Sequence, residues 1–317
     1  MRILHVENVA GVGSALSRAQ RGLGHESDVL ITWPNRFEFE VDHEHVYQGK
    51  GIRLPSEMLK VLSTCRGYDV LHVHGGLTRK RIDILLSRMT TKQILIGHYH
   101  GSETRQGYGL HYRRFIDLGV VATPDLLRWL PGCRYVPNPV ELPESTLNLP
   151  ETSSTKIIHI PSDRRIKGTE IIEEAVRKLK GSGLGVDLTV LEGVPHGKAM
   201  EEVGRSHIVA DWISREEVTG VPGIYGKLSL EALARGRVAI SYIDPGIRPL
   251  YPDDLPVISP TGTTADDLAE CLAPLIINRH NLEAIAAKGP SYVRSHHDPD
   301  ATAQWFVDQY QALLAKR

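Results

Sequence analysis

The sequence contains little of what would indicate an unusual location or chemistry. Only three of its 317 residues are cysteines. Because Cys65, Cys133 and Cys271 lie far apart and are odd in number, they argue against a disulfide framework and a cysteine-ligated metal site, and they favour a reducing compartment. No run of about 18 apolar residues occurs, so no transmembrane helix is predicted. The sequence is therefore interpreted as that of a cytoplasmic protein.

A large excess of one charge is also absent. The 37 basic and 38 acidic residues give a formal net charge of −1, which argues against nucleic acid as a partner. Residues 79–92 are a local exception, because Arg79, Lys80 and Arg81 begin a basic amphipathic stretch. Such stretches are usually solvated helix faces. A peripheral contact with the anionic inner face of a membrane is the alternative.

The order of apolar segments indicates the fold class. The length of the chain exceeds what one hydrophobic core usually serves, and short apolar runs alternate with helical patterns, which is typical of parallel sheets with crossover helices. The strands predicted in the first half are residues 3–6, 27–31, 70–74, 94–98, 120–122 and 135–136. Those predicted in the second half are residues 156–160, 187–191, 208–211, 238–242 and 257–258.

A segment rich in proline and small polar residues, 137–154, separates the two series and has the composition of a linker. We therefore predict an α/β protein with two Rossmann-like doubly wound domains, residues 1–145 and 146–317. A last amphipathic helix is predicted over about 298–317, because Asp298 is a good N-cap and Pro299 suits the first helical position. Ligands of such sheets bind beyond the carboxyl ends of the strands, so the residues that follow each strand are the site candidates.

The most informative of these segments is residues 223–238. Gly223 and Gly226 predict a turn that a ligand can approach closely, and a helix that begins near Lys227 would direct its N–H groups at an anion. Glu231, four residues later, lies on the same face, where its carboxylate could accept both hydroxyls of a ribose. This combination favours binding of a nucleoside diphosphate. An ordinary crossover helix is the alternative.

A basic run follows the first strand of the second half. Arg164, Arg165 and Lys167 come directly after this strand, and a diphosphate leaving group needs such cations to neutralise its charge. If the loop is extended, Arg165 and Lys167 share a side and form the favoured pair, while Arg164 is solvated. Cations near a helix start are disfavoured by the helix dipole, so a functional role is preferred to a structural one.

Two strands of the first half, 70–74 and 94–98, each lead into a His-X-His pair, and the period of a strand puts both imidazoles of a pair on one face. A metal site is one interpretation, and histidines buried in the core or cleft are another. The favoured hypothesis is that His100, with Glu103 and Arg105 just after it, lies on the floor of a cleft and contacts the group that is transferred.

A glycine loop containing Gly11, Gly13 and Ser14 follows the first strand. It lacks the third glycine of a dinucleotide-binding fingerprint, and no acidic residue ends the second strand, so a nicotinamide cofactor is not predicted. The functional interpretation is a loop that touches an acceptor or the donor phosphates. A tight strand-to-helix turn is the structural one.

In their order and spacing, these four segments resemble the retaining glycosyltransferases of the GT-B type, family four, and the resemblance covers nearly the whole chain. It implies two Rossmann-like domains that face each other across a cleft, the first binding the acceptor and the second the nucleotide sugar. It also implies a terminal helix that returns to the first domain, and transfer without a metal or other cofactor. A UDP-sugar is the favoured donor.

The resemblance assigns roles to particular residues. It implies that Arg165 and Lys167 bind the diphosphate, that Glu231 binds the ribose, and that His100 contacts the donor sugar. The backbone that completes the phosphate site belongs to Tyr225, Gly226, Lys227 and Leu228. The family pattern has a further glutamate eight residues before the ribose-binding one, and here that position is Gly223.

The predicted function is therefore transfer of a sugar from a nucleoside diphosphate sugar to an acceptor, with retention at the anomeric carbon. In this mechanism the leaving phosphate deprotonates the acceptor, and no separate base is required. Two alternatives stay open: a sugar-nucleotide epimerase of the same architecture, and a non-catalytic nucleotide-sugar-binding protein, which the glycine at position 223 motivates.

Overall fold

The computed structural model describes residues 1–47, 53–75, 82–105, 110–144 and 148–317. The chain forms two compact units. Unit 1 consists of Met1–Pro139 together with Asp298–Arg317, and unit 2 of Val140–His297. The division falls inside the proline-rich segment, where the sequence had placed it near residue 145. The terminal helix belongs to unit 1.

Unit 1 contains one sheet of seven parallel strands. The strands are β1 (Arg2–Val6), β2 (Glu26–Ile31), β3 (His43–Glu44), β4 (Val70–His74), β5 (Ile94–Tyr99), β6 (Leu118–Val121) and β7 (Arg134–Tyr135). Their order in the sheet is β3-β2-β1-β4-β5-β6-β7. The α-helices of this unit that precede the linker are α1 (Val12–Gly22), α2 (Arg53–Cys65), α3 (Ile82–Thr91) and α4 (Ser102–Arg105).

Unit 2 contains a sheet of four parallel strands in the order β11-β10-β8-β9. These strands are β8 (Thr155–His159), β9 (Val186–Val190), β10 (Ile208–Trp212) and β11 (Val238–Ser241). The helices are α5 (Arg164–Lys167), α6 (Thr169–Gly181), α7 (His196–Gly204), α8 (Glu216–Thr219), α9 (Lys227–Ala234), α10 (Ala265–Ile277), α11 (Arg279–Ala286) and α12 (Gly289–His296). Apolar clusters cover both faces of this sheet, as is expected for parallel strands.

The terminal helix α13 (Pro299–Leu314) completes the core of unit 1. Asp298 caps it as predicted, because its Oδ1 accepts a hydrogen bond of 2.7 Å from the N–H of Ala301. Phe306 and Tyr310 of α13 are fully buried in the cluster that includes Leu16 of α1. The helix therefore packs against α1 and covers one face of the central strands.

The predicted strands are confirmed with shifts of one or two residues, except that 257–258 contributes only a single bridge between Ile240 and Ile258. The short β3 was not predicted. The condition under which Arg165 and Lys167 would share a side, an extended loop, is not met, because residues 164–167 form the helical turn α5, which Asp163 caps. Arg79, Lys80 and Arg81, the start of the predicted membrane-contacting stretch, lie outside the described residues. In the described parts of the chain, every helix is too short or too polar to cross a bilayer.

Candidate nucleotide-sugar site

The first side of the candidate site is α5, the helical turn after β8. The carboxylate of Asp163 accepts a hydrogen bond of 2.9 Å from the N–H of Ile166, and the turn ends at Gly168 with φ +74°. A Cβ atom on Gly168 would lie 2.0 Å from the carbonyl oxygen of Ile213, so only glycine fits there. This turn separates the two predicted partners: Arg165 is exposed and Lys167 is buried.

Lys167 is fixed by an ion pair with Asp211 at the end of β10. Its Nζ lies 2.7 Å from Oδ1 of Asp211, whose side chain is fully buried. Nζ also lies 4.2 Å from the centre of the Trp212 ring, a cation–π contact. Because a buried charge needs a partner, the ammonium and the carboxylate hold each other in place.

The other oxygen of Asp211 connects this pair to the start of α9. Oδ2 accepts hydrogen bonds from the N–H of Gly226 at 2.9 Å and from the hydroxyl of Ser229 at 2.7 Å. Burial alone would raise the pKa of Asp211, but Lys167 and these hydrogen bonds outweigh it and hold the pKa below its usual value. A Cβ atom on Gly226 would lie 2.8 Å from Oδ2 of Asp211 and 3.1 Å from Nζ of Lys167. The glycine therefore allows the close approach of the backbone to the ion pair.

Glu231 lies one turn into α9, as predicted, and is buried with 8% of its surface exposed. Its Oε1 lies 2.9 Å from Nε2 of His196, at the start of α7, and 3.6 Å from Nζ of Lys227. Burial raises the pKa of Glu231, yet the charge of Lys227 and the hydrogen bond with His196 lower it by more, so the net direction is downward. The carboxylate is thus kept ionised, which suits it to accept hydrogen bonds.

The remaining predicted site residues of unit 2 differ in how deeply they are buried. Tyr225 is buried with its ring 4.5 Å from that of Tyr251, and Leu228 packs against the same core. Their side chains pack in the core of unit 2, so the predicted contribution of Tyr225 and Leu228 to a ligand site belongs to the backbone before and within the first turn of α9. In this segment the N–H groups of Gly226 and Ser229 already donate to Asp211. Arg165 makes no ion pair with any described residue, whereas Arg164 pairs with Glu173 and Glu192.

The position of the missing family glutamate is closed by its surroundings. A Cβ atom on Gly223 would lie 2.5 Å from the Tyr242 ring and 2.8 Å from the backbone nitrogen of Asp244. That nitrogen also donates a hydrogen bond of 2.9 Å to the carbonyl of Gly223. The backbone here is therefore built around glycine, and a side chain at position 223 would require it to move.

In unit 1 the predicted histidines come together at the carboxyl ends of neighbouring strands. His72 and His74 of β4, His98 of β5 and His100 just after it lie on one face, and the fully buried His5 of β1 joins them. His100 is half-buried. Three imidazoles come together in each of two groups: His5, His72 and His74 form one, and His74, His98 and His100 form the other. In each group, one ring nitrogen from every histidine lies within 4.8 Å of those of the other two.

The other candidates of unit 1 are engaged locally. Gly11 has φ +71° and leads into α1, and a Cβ atom on Gly13 would lie 3.1 Å from Oδ1 of Asn8. Ser14 donates to the carbonyl of Glu40 at 2.6 Å and accepts from the amide of Asn8 at 2.6 Å.

Arg105 forms a buried ion pair of 2.6 Å with Asp125. The side chain of Glu103 lies outside the described residues. The contacts of Ser14 and Arg105 with described residues are thus local to unit 1, and the predicted roles of Gly11, Gly13, Ser14, Glu103 and Arg105 in binding a substrate stay predictions.

Sequence reasoning gave too little weight to three residues of unit 2. Asp211, His196 and Ser229 are not among the predicted site residues. Their partners are 18 to 44 residues away in the sequence, so no local pattern marks them. The one available signal is that Asp211 is an acidic residue at the end of an apolar strand.

Comparison with known proteins identifies the fold. No family model and no curated protein matches the sequence. Among solved structures, HepE of Anabaena in complex with UDP and glucose is 13% identical, with 98% of this chain and 100% of that chain covered and a TM-score of 0.71. Sucrose-phosphate synthase of Thermosynechococcus elongatus is 14% identical, with 100% of both chains covered and a TM-score of 0.68.

A putative UDP-N-acetylglucosamine 2-epimerase of Listeria monocytogenes is also similar, at 14% identity, with 100% of this chain and 97% of that chain covered and a TM-score of 0.61. These comparisons and the two parallel sheets confirm the predicted α/β fold with Rossmann-like units, that of the GT-B glycosyltransferases.

Proposed function

We propose that the protein is a glycosyltransferase that uses a nucleoside diphosphate sugar as donor. The observation that carries this proposal is the assembly around the first turn of α9. There, Asp211 joins Lys167 to the backbone of Gly226, and one turn later His196 and Lys227 hold the ionised Glu231. Cation, helix start and buried carboxylate are what a diphosphate joined to a ribose requires.

Each part of the nucleotide has a proposed partner in unit 2. The N–H groups at the start of α9 and the exposed Arg165 bind the diphosphate, and Lys167 adds a donor whose direction Asp211 sets. Glu231 accepts hydrogen bonds from the two ribose hydroxyls. UDP is the favoured nucleotide, because the similar HepE was solved in complexes with UDP and UDP-glucose.

The proposed chemistry is electrostatic. As the bond from the anomeric carbon to the phosphate oxygen breaks, negative charge grows on the diphosphate, and Arg165, Lys167 and the helix N–H groups stabilise it. The leaving phosphate takes the proton of the acceptor hydroxyl on the same face of the sugar, so the anomeric configuration is retained. These cations serve in place of a divalent metal, and His100 contacts the donor sugar.

An epimerase is the second candidate, because the Listeria structure shares the fold over nearly the full length of both chains. An epimerase would convert the nucleotide sugar without any acceptor, so product analysis by NMR in the absence of acceptor separates the two reactions. A binding protein without turnover would follow from the loss of the glutamate at 223, and would bind the donor but leave it intact.

Glu231→Gln tests the proposal directly. The amide keeps the shape of the side chain but loses the charge-assisted hydrogen bonds to ribose, so binding of UDP measured by calorimetry should weaken about 10- to 100-fold. The matched control is Glu270→Gln, an exposed residue of α10, which should bind UDP like the wild type. Equal affinity of Glu231→Gln and the wild type would contradict the assignment of the ribose site.

A further inference from the structure

Helices α2 and α3 of unit 1 expose large apolar side chains to solvent. Leu59 of α2 has 64% of its surface exposed, and Leu86 and Met89 of α3 have 43% and 75% exposed. A single exposed leucine is common on protein surfaces and needs no explanation. Several on neighbouring helices can form a contact surface if their side chains face the same way.

Both helices pack against the same face of the sheet in unit 1. Their buried residues belong to one apolar cluster, which also contains residues of β1, β4 and β5. The members from the helices are Val61 and Cys65 of α2 and Ile84 and Leu85 of α3. Because the helices also contact each other, the sides that they turn away from the sheet form one continuous surface.

The exposed apolar residues lie on the sides that are turned away from the sheet. In α2, Leu59 comes two residues before the buried Val61, which is about 200° around the helix axis. In α3, Leu86 comes two residues after the buried Ile84, and Met89 shares its face because it follows three residues later. We call the surface that contains Leu59, Leu86 and Met89 the α2–α3 face.

The exposed charge on and beside this face is positive in the part of the chain that the structure describes. Lys60 is exposed on α2, and Arg66 and Lys92 are exposed directly after the last residues of α2 and α3. None of these three cations forms an ion pair with a described residue. The acids of the two helices are Glu57, which is half-buried, and Asp83, which is buried. Such a distribution of charge attracts an anionic surface.

We propose that the α2–α3 face binds the surface of an anionic lipid bilayer. Its leucine and methionine side chains enter the boundary between headgroups and acyl chains, and the cations meet the lipid phosphates. Basic helices with an exposed apolar side bind membranes in this way, lying in the plane of the interface. This binding involves unit 1 alone and does not depend on the nucleotide-sugar site of unit 2.

Two other occupants fit this face less well. Nucleic acid is bound through cations and polar groups at its phosphates, and it offers no apolar layer for exposed leucine and methionine side chains. A second copy of the chain would bring the same face of each copy together in a twofold dimer. The cations of the two copies would then lie close to one another, which opposes association.

Sedimentation with lipid vesicles tests the proposal on the full chain. We expect the protein to bind vesicles in which a third of the lipid is phosphatidylglycerol, and to bind pure phosphatidylcholine at least about tenfold more weakly. Raising the salt from about 0.05 to 0.5 M should weaken the binding, because salt screens the attraction between cations and phosphates. Equal binding to both kinds of vesicle, or none to the anionic vesicles at low salt, would overturn the proposal.

A pair of double variants locates the binding surface. Leu59→Glu with Met89→Glu puts two acids on the α2–α3 face, at positions exposed enough to leave folding intact, and should reduce binding to anionic vesicles at least about tenfold. The matched control is Leu250→Glu with Ile277→Glu, at residues of unit 2 that are 48% and 71% exposed. It changes the net charge equally and should bind like the wild type. Equal losses in both double variants would show that net charge, and not this face, governs binding.

The apolar part of the contact needs a change that keeps the charge. Leu59→Ser with Met89→Ser should weaken binding to anionic vesicles about tenfold, because two apolar side chains no longer enter the bilayer. Unchanged binding would contradict their insertion. Thermal unfolding of each variant, measured without vesicles, shows that the fold is intact.

Light scattering in solution tests the second copy as occupant. We expect a wild type whose mass is unaffected by Leu59→Glu with Met89→Glu. A dimer that this double variant converts to a monomer would show that another copy covers the face, and would overturn the proposal. Binding of UDP should be the same in the wild type and in every variant of this face. A chain that binds anionic vesicles and not UDP would contradict the proposed function alone.

Discussion

Gly226 is the residue on which the proposed phosphate site depends most closely. In Gly226→Ala the new methyl group would collide with the Lys167–Asp211 ion pair, so we expect a loss of about 1–3 kcal/mol in the free energy of unfolding and UDP binding weakened at least tenfold. Urea denaturation and calorimetry measure the two effects.

Gly197→Ala is the matched control for this substitution, because Gly197 also lies at the start of a helix, α7, and a Cβ atom there meets nothing within 4 Å. Its free energy of unfolding should change by less than about 1 kcal/mol, in the stabilising direction. If the two alanine variants behaved alike, the close approach of the backbone to the ion pair would have no energetic importance.

At this scale the sequence predicts what is local. Lys227 and Glu231 are four residues apart on one helix, and in the structure Nζ of Lys227 lies 3.6 Å from Oε1 of Glu231. The partner of Lys167 could not be predicted, because Asp211 is brought to it by the pairing of β8 with β10. Arg165 and Lys167 differ in burial because the cap at Asp163 turns the loop into a helix, in which residues two apart do not share a face. Their joint role at the diphosphate stays a prediction.

Among the elements, α13 shows how a terminal helix can complete a distant core. Phe306 is fully buried against the strands of unit 1 and stands 4.7 Å from the ring of His72. We expect Phe306→Ala to lower the free energy of unfolding by about 3–5 kcal/mol, through lost burial and the cavity left behind.

The control for Phe306→Ala is Gln304→Ala on the exposed face of the same helix, where the side-chain amide donates a hydrogen bond to Asp308. This change should cost less than about 0.5 kcal/mol, measured by chemical denaturation. Comparable losses from both substitutions would indicate that the helix matters through its intrinsic stability and not through the face it buries.

The sequence marks the bounds of α13 well, since Asp298 and Pro299 are strong signals for a helix start. Its place in unit 1 was implied only by the resemblance to a family, because amphipathic periodicity tells which face is buried but not against what. Short strands, in contrast, cannot be located from the sequence. Strand β3 has two residues, too few for any periodic pattern to appear.

For the molecule as a whole, the buried histidines predict a particular loss of stability in acid. The folded-state pKa of His5 is lowered to about 4, mainly by burial, and burial also lowers the folded-state pKa of His72, His74 and His98 well below the usual value. The unfolded chain therefore binds more protons than the folded one below about pH 6.5. Each such histidine contributes stability that is complete above this pH and is lost as the pH falls toward its folded pKa.

We expect the free energy of unfolding to fall by about 1.4 kcal/mol per pH unit for each of these histidines between roughly pH 6 and 5. Denaturation series at several pH values measure the slope. His5→Gln should reduce it, and His280→Gln, at a histidine whose side chain is 98% exposed, should leave it unchanged. Asp211 and Glu231, whose pKa values are lowered, add to the loss only at lower pH.

The alternation of strands and helices was sufficient to predict the α/β class and two sheets, because parallel strands buried on both faces produce unmistakable apolar runs. The order of strands within each sheet does not follow from the sequence. In unit 2, for example, β10 pairs with β8 and β11 and not with β9, its predecessor in the chain. The candidate site depends on this crossover, since it brings the end of β10 beside the turn that follows β8.

The two units have apolar clusters of their own, and this bears on how a ligand stabilises the molecule. Val209, Leu230 and Leu233 belong to a cluster of unit 2, whereas Ile3 and Phe306 belong to one of unit 1. A ligand that binds unit 2 and is present at a hundred times its dissociation constant adds about 2.7 kcal/mol to the free energy of unfolding of the part of the chain that unfolds together with its site. We expect this stabilisation in β8, β10 and α9, and not in β1, β4 and β5.

Hydrogen exchange with and without UDP measures the distribution, because amides that exchange through unfolding of a unit report its free energy. The slowest amides of unit 2 should slow by about a hundredfold under these conditions, and those of the unit 1 strands should keep their rates. Glu231→Gln at the same UDP concentration is the control, and should lose most of the protection. Equal slowing in both units would show that they unfold together, and slowing in unit 1 alone would contradict the placement of the nucleotide in unit 2.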